Sequence, residues 1–211
     1  GCEMTEPTHH HPHHAPHHPL AHLALSAGPD TETAGAGVVL QALPFCPSMV
    51  LRGESSDANF TEAFHAALGF DLPLKPNHVT RWNALAALWM GPNEWLLLGA
   101  ADGNDLSASL ADHRHAIIPN GDGQQIIALS GGRAAEVLAK LCPLDLDDGN
   151  LVPGRCARSV LAGIGVLVVP QPDGVYQIHV ARSFADYAWR ILADASQEFG
   201  LAVADADGRK L

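Results

Sequence analysis

No two cysteines of this chain stand at the spacing of a redox pair or a zinc ribbon. Cys2, Cys46, Cys142 and Cys156 are scattered among small and apolar neighbours, which reads as reduced, mostly buried thiols. Cations are scarce as well: 12 Lys and Arg face 23 Asp and Glu, a formal net charge of −11. That balance excludes nucleic acid or an anionic membrane as the main partner. No apolar run approaches the roughly 20 residues needed to span a bilayer. A histidine tract occupies the N-terminus where a signal peptide would need an apolar core, so the expected location is cytoplasmic. Phosphate loop, dinucleotide fingerprint, HExxH and nucleophile elbow are all missing, which removes the enzyme classes that depend on them.

Hydrophobic residues make up 47% of the 211, enough to bury a sizeable core. Residues 1–36 read as a disordered tail, because HHHPHHAPHHP is low in complexity and its prolines prevent a helix. Clustered imidazoles bind transition metals opportunistically, but a flexible tract lacks the fixed geometry of a dedicated site. Residues 37–201 form the globular domain, and residues 202–211 read as a C-terminal tail.

Within the domain, Val38 to Leu43 and Pro47 to Arg52 read as strands, and Ser56 or Asp57 starts a helix through Leu68. Trp82 to Met90 reads as one strand, Gly91-Pro92-Asn93 as a turn and Glu94 to Leu98 as a buried strand. A short helix follows Asn104 or Asp105, and a hairpin through Leu129 leads to a helix over Ala134, Val137, Leu138 and Leu141, capped at Ser130. Ile164 to Val169 and Val175 to Val180 flank a turn at Pro172-Asp173-Gly174. Ser183 then caps a last helix expected to bury Phe184, Tyr187, Ala188, Ile191, Leu192 and Ala195, with Gly200 at its end. The order β-β-α-loop-β-β-α thus occurs twice. The fold class is α+β: a single pseudo-duplicated domain whose two halves pack their sheets together, with helices on the outer faces.

Few residues suggest chemistry. Arg155, Arg158 and Arg182 lie where extended segments meet turns and helices, and scarce cations at such junctions imply fixed carboxylate partners, internal or across an interface. Arg155 and Arg158 also flank Cys156 and are placed to lower its pKa, although no histidine partner for a nucleophile stands nearby in sequence. Trp82, Trp89 and Trp95 crowd one hairpin, where strand alternation sends some into the core and leaves others to cover a partner; Trp95 is grouped with the three arginines as an interface residue or structural anchor. Gly131-Gly132 reads as a tight turn rather than an anion site, and Asp145, Asp147 and Asp148 as a solvated loop lacking calcium-loop spacing. No catalytic, cofactor-binding or metal-ligating residue is assigned.

Two longer strings carry a family resemblance. GRCARSVLAGIGVLVV, followed by DGVYQIHVARSFADYAWRILADA, together with LWMGPNEWLLLG, resembles the gamma subunits of heterotetrameric sarcosine oxidase. The matching pieces are Gly154, Cys156, Ala157 and Arg158 leading to Leu161-Ala162; Ala181-Arg182-Ser183-Phe184 with Tyr187 and Trp189; and Gly91 through Leu96. The resemblance spans Val38 to Gly200 and leaves the histidine tail outside. It implies a fold similar to the tetrahydrofolate-binding domain of glycine-cleavage aminomethyltransferases. It also implies an accessory subunit, without a cofactor of its own, of an oxidoreductase that demethylates sarcosine to glycine. The products are hydrogen peroxide and formaldehyde, or 5,10-methylenetetrahydrofolate when folate is present. FAD, FMN, NAD, tetrahydrofolate and zinc would sit in the partner alpha, beta and delta subunits. A subunit of a related N-methylglutamate-type dehydrogenase, or a stand-alone tetrahydrofolate-binding protein, would share the fold. A metal-buffering role for the histidine tail is the remaining alternative.

Overall fold

Two-residue turns set the layout of the chain in a computed structural model that describes residue 20 and residues 36–99, 103–121, 123–146 and 149–204. After β1 (Val38–Ala42), the first half runs β2 (Ser48–Gly53), α1 (Ala58–Leu68), β3 (Val79–Trp82), β4 (Leu85–Gly91), β5 (Glu94–Leu98), α2 (Gly103–Ser109) and β6 (His115–Pro119). The second half runs β7 (Gln124–Ser130), α3 (Ala134–Leu141), β8 (Ala157–Leu161), β9 (Ile164–Pro170), β10 (Tyr176–Ala181), α4 (Ala185–Ser196) and β11 (Leu201–Ala204). Asn83 and Asn93 take positive φ (52° and 63°) in the turns closing β3–β4 and β4–β5, a conformation that asparagine tolerates better than most residues. Asp57 caps α1 by accepting from the Asn59 amide at 3.0 Å, and left-handed Gly69 closes its far end.

Each half is therefore β-α-β-β-β-α-β, one strand richer than expected from the sequence. The five-stranded sheet has the order β3-β4-β5-β2-β6; the other, read in the same sense, is β8-β9-β10-β7-β1-β11. Matching the halves strand for strand leaves β1 over. It is inserted between β7, to which it is antiparallel, and β11, to which it is parallel. The doubled α+β architecture holds, and β1 breaks its symmetry.

Three hydrophobic clusters locate the layers. One packs the six-stranded sheet against α3 and α4 through Leu40, Val168 and Ile178 below Leu138 and Leu192. A second packs the five-stranded sheet against α1 and α2 through Leu51, Trp95 and Leu97 below Phe60, Phe64 and Leu106. The third lies between the sheets, where Leu88, Leu96 and Leu98 meet Cys156, Leu167 and Val169. The layers are helix, sheet, sheet, helix. At about 25 cal/mol per Å² of apolar surface removed from water, such cores supply most of the driving force for folding.

Several local expectations are revised. Residues 82–90 are not one strand, because Trp82 ends β3 and β4 begins at Leu85. Ser130 and Ser183 cap nothing: α3 and α4 start after Arg133 and Phe184, neither with a side-chain cap, and α4 follows a 3-10 turn at Arg182–Phe184. Phe184 and Tyr187 stay substantially exposed, while Trp189 fills the core instead. β11 runs to Ala204, past the expected boundary at residue 201, because residues 201–204 pair with β1. Leu20, inside the expected tail, is fully buried against the α3–α4 core. The remainder of residues 1–35, Asp147, Asp148 and residues 205–211 lie outside the described residues.

Candidate functional site

The sheets are joined at one end by an ionic bridge. Glu94 opens β5, and Arg52 on the neighbouring β2 reaches its Oε2 with Nε at 2.9 Å and Nη2 at 2.8 Å. Arg158 on β8, in the opposite sheet, approaches the other carboxylate oxygen with Nη2 at 3.4 Å. Both arginine side chains are about three-fifths exposed (59% and 60%), so the bridge contributes at most about 1 kcal/mol. Its importance is positional: one carboxylate ties both sheets together at the mouth of a cleft.

Two cavities open around this bridge. One, of about 470 Å³, is lined by Arg52, Glu54, Asn93, Glu94, Arg114 and His115. Hydrogen bonds from Ser56 hold the Glu54 carboxyl below the usual carboxylate range. The other, of about 330 Å³, lies between the sheets and is lined by Met90, Asn120, Gln124, Arg158, Gly165 and His179 among others. Along β10 the neighbours Ile178 and Val180 point into the α3–α4 core, so alternation turns His179 the other way, beside its cross-strand partner Leu167. His179 is 2% exposed, and neither ring nitrogen has a hydrogen-bond partner. Burial, assisted by the Arg81 charge, pushes its pKa down to about 4, so the ring is neutral at physiological pH. Sequence reading passed over this histidine. The available signal was its place between two apolar residues of one strand, both committed to the opposite face.

The residues singled out from the sequence are not gathered into one site. Trp95 is fully buried; its indole Nε1 donates to the Pro73 carbonyl at 2.9 Å and its ring stands 6.1 Å from that of Phe60. At that burial it has no exposed surface. Arg155 is half-buried in the contact between the halves, where it bridges His78 across the chain and its Nε has no hydrogen-bond partner. Arg182 is half-buried at the start of its 3-10 turn, with its amide donating to the Gly123 carbonyl at 2.8 Å. Arg158 alone lines the cleft. Cys156 corrects the expectation of a lowered pKa: burial between the sheets outweighs both flanking arginines and drives the thiol up to about 11, while Sγ points at the Trp89 carbonyl. It is a core residue. Among the described residues, no group of three or more His, Cys, Asp or Glu could hold a metal ion, and no helix is long and apolar enough to cross a membrane.

The comparisons with known proteins agree with one another. The family model described as "Sarcosine oxidase, gamma subunit family" matches residues 52–198. This chain belongs to that family. The sarcosine oxidase subunit gamma of an Arthrobacter species is 31% identical over 185 residues, covering 86% of this chain and 90% of the relative. That of Corynebacterium sp. strain U-96 is 31% identical over 191 residues, covering 87% and 91%. Among solved structures, heterotetrameric sarcosine oxidase from Corynebacterium sp. U-96, in complex with pyrrole 2-carboxylate, contains a chain that aligns with a TM-score of 0.76. Their identity is 28%, and the alignment covers 87% of this chain and 96% of that one. The glycine cleavage system aminomethyltransferase T from Bartonella henselae aligns with a TM-score of 0.60 at 17% identity, covering 81% of this chain and 48% of that one; this shows a shared fold. The matched residues 52–198 of this sarcosine oxidase gamma family member include Arg52, Glu94, Arg158 and His179, hence the whole bridge and the cleft floor.

Proposed function

We propose that this chain is the accessory gamma subunit of a heterotetrameric sarcosine oxidase, assembled with alpha, beta and delta subunits in the cytoplasm. The reading rests on the family match over residues 52–198. The cores support it, because the residues with the strongest chemical potential serve structure: Cys156 is held as a thiol, and Trp95 fills the space below α1. In this reading the oxidative demethylation of sarcosine takes place in the partners. They hold FAD, FMN, NAD, tetrahydrofolate and zinc, and release peroxide with formaldehyde or methylenetetrahydrofolate.

What this chain supplies is a rigid body. Its two sheets are locked by the inter-sheet core and by the Glu94 bridge, with a cavity opening between them. Affinity purification of the full chain from its own cells tests the proposal. The expected result is co-purification of flavin-bearing subunits with sarcosine-dependent peroxide formation. A complex that oxidises N-methylglutamate and not sarcosine would assign the chain to the related dehydrogenase. A monomer that binds tetrahydrofolate unaided would refute the accessory role.

A further inference from the structure

The loop that joins the two halves holds the one Asn-Gly pair of the chain. Pro119 ends β6, Gln124 opens β7, and Asn120-Gly121 lies between them. Every other asparagine precedes a residue that carries a Cβ. Three observations set Asn120 apart. Its side chain is folded forward over the turn: a Cβ built on Gly123 would lie 3.4 Å from the Asn120 Oδ1 and 2.9 Å from its main-chain carbonyl oxygen. The residue is also held in place. Its amide donates to the Ser48 carbonyl at 3.0 Å, its Nδ2 donates to the Ser48 Oγ at 3.2 Å, and its carbonyl accepts from the Gly123 amide at 3.0 Å. Lastly, the neighbouring Gly121 is exposed, and its amide has no acceptor among the described residues. A Cβ on Gly121, where φ is 51°, would meet nothing within 4 Å, so that amide is uncrowded as well.

We propose that Asn120 is a modification site, deamidating spontaneously in the folded chain with water as the only co-reactant. The Gly121 nitrogen, having lost its proton to solvent base, attacks Asn120 Cγ. The N–Cγ bond forms, the Cγ–Nδ2 bond breaks and Nδ2 leaves as ammonia, closing a cyclic succinimide. Nucleophile and carbonyl belong to adjacent residues of a held turn, so the attack is intramolecular and gains the rate advantage of proximity. An amide engaged as a donor would first have to give up that bond, and the Gly121 amide has none to lose. Water then opens the ring. Addition at Cγ leaves aspartate at position 120, whereas addition at the main-chain carbonyl carbon leaves isoaspartate, whose backbone runs through Cβ and Cγ. Either product replaces the Nδ2 donor by a carboxylate, on a residue that lines the inter-sheet cavity together with Arg158 and His179. Only isoaspartate lengthens the main chain. It does so between the Ser48 and Gly123 hydrogen bonds that fix the joint between the halves.

The test follows residues 115–133, which trypsin releases from the full chain as one peptide by cutting after Arg114 and Arg133. The native chain is kept in mildly alkaline buffer and sampled over time, with fresh chain digested alongside as the zero point. Fragmentation should place the mass gain of an amide-to-acid conversion at residue 120, with isoaspartate among the products. Conversion there should run about tenfold or more ahead of any other asparagine. Gly121→Ala sets a methyl group beside the attacking nitrogen, where the structure has room for it. The variant should keep the native circular dichroism spectrum and convert about tenfold or more slowly. Hydrogen exchange in residues 115–119 and 124–126 should quicken in the aged wild-type chain. Asn120→Asp leaves the main chain unchanged and should keep the exchange pattern of the fresh wild type. An Asn120 that survives in the native chain while it converts in chain unfolded by urea would overturn the proposal. So would another asparagine reacting first, or a folded Gly121→Ala variant converting at the wild-type rate.

Discussion

His179 carries a stability cost that acid titration exposes. Folding buries a ring whose two nitrogens gain no partner, and its pKa falls from 6.5 to about 4. A depressed folded-state value means that the contribution is complete above pH 6.5 and is lost as pH falls towards 4. Between pH 7 and pH 5 the unfolded chain takes up a proton that the folded chain refuses. Linkage sets the loss at about 2 kcal/mol, from RT ln(1 + 10^(pKa − pH)) evaluated for both states. Replacing the ring by His179→Phe keeps the size, removes the titration and leaves no polar atom unpaired, so the variant should match or exceed wild-type stability at pH 7. The assay is the urea midpoint of both proteins at pH 7 and pH 5. With a slope near 2 kcal/mol per molar urea, the wild-type midpoint should drop by about 1 M more than that of the variant. Other groups titrate in both proteins and cancel in the difference. Parallel drops would refute the assignment of His179 as a neutral, unpartnered core histidine.

Other positions give separate checks. Trp95→Phe should cost about 2–4 kcal/mol in urea unfolding, from lost ring volume and an orphaned Pro73 carbonyl, without weakening partner binding by the folded fraction. Cys156 should resist iodoacetamide in the native chain at pH 8, with half-buried Cys46 alkylated ahead of it; its raised pKa also implies stability lost as pH climbs from 9 towards 11. Ala162→Asn should raise the thermal midpoint, by about 1 kcal/mol in stability, because Ala162 holds φ of 46° in the β8–β9 turn. Gly131→Ala should lower stability by at least 1–3 kcal/mol on the order of backbone strain alone, since φ is 105° and a Cβ there would lie 2.4 Å from the Gly37 carbonyl oxygen.

The strong periodic signals were readable. The apolar faces of α1, α3 and α4 and the buried runs of β5 and β9 produced the doubled α+β plan with its helices outside. The missed strands have a common cause in turn chemistry. The β8–β9 hairpin turns at Ala162-Gly163, where alanine takes the position that asparagine or aspartate would advertise, and Tyr187 stabilises the turn by donating its hydroxyl to the Ala162 carbonyl at 2.9 Å. That contact comes from α4, 25 residues away, and no local pattern announces it. The same contact accounts for Tyr187 lying outside the core. The β3–β4 turn is hidden differently: Asn83 takes the positive φ, but Ala84 follows it where a glycine would complete the Asn-Gly hairpin signal. β11 was lost because its partner is β1, at the other end of the domain. The site was harder still: Arg158 was picked out for its scarcity, but Glu94 and His179 take their meaning from a second sheet laid over the first.

The accessory-subunit account is tested most directly by the native mass and visible spectrum of the assembly isolated through the full chain. The account predicts a hetero-oligomer containing this chain with flavin absorbance that bleaches when sarcosine is added under anaerobic conditions. A colourless species with the 22.2 kDa mass of the chain alone would contradict it.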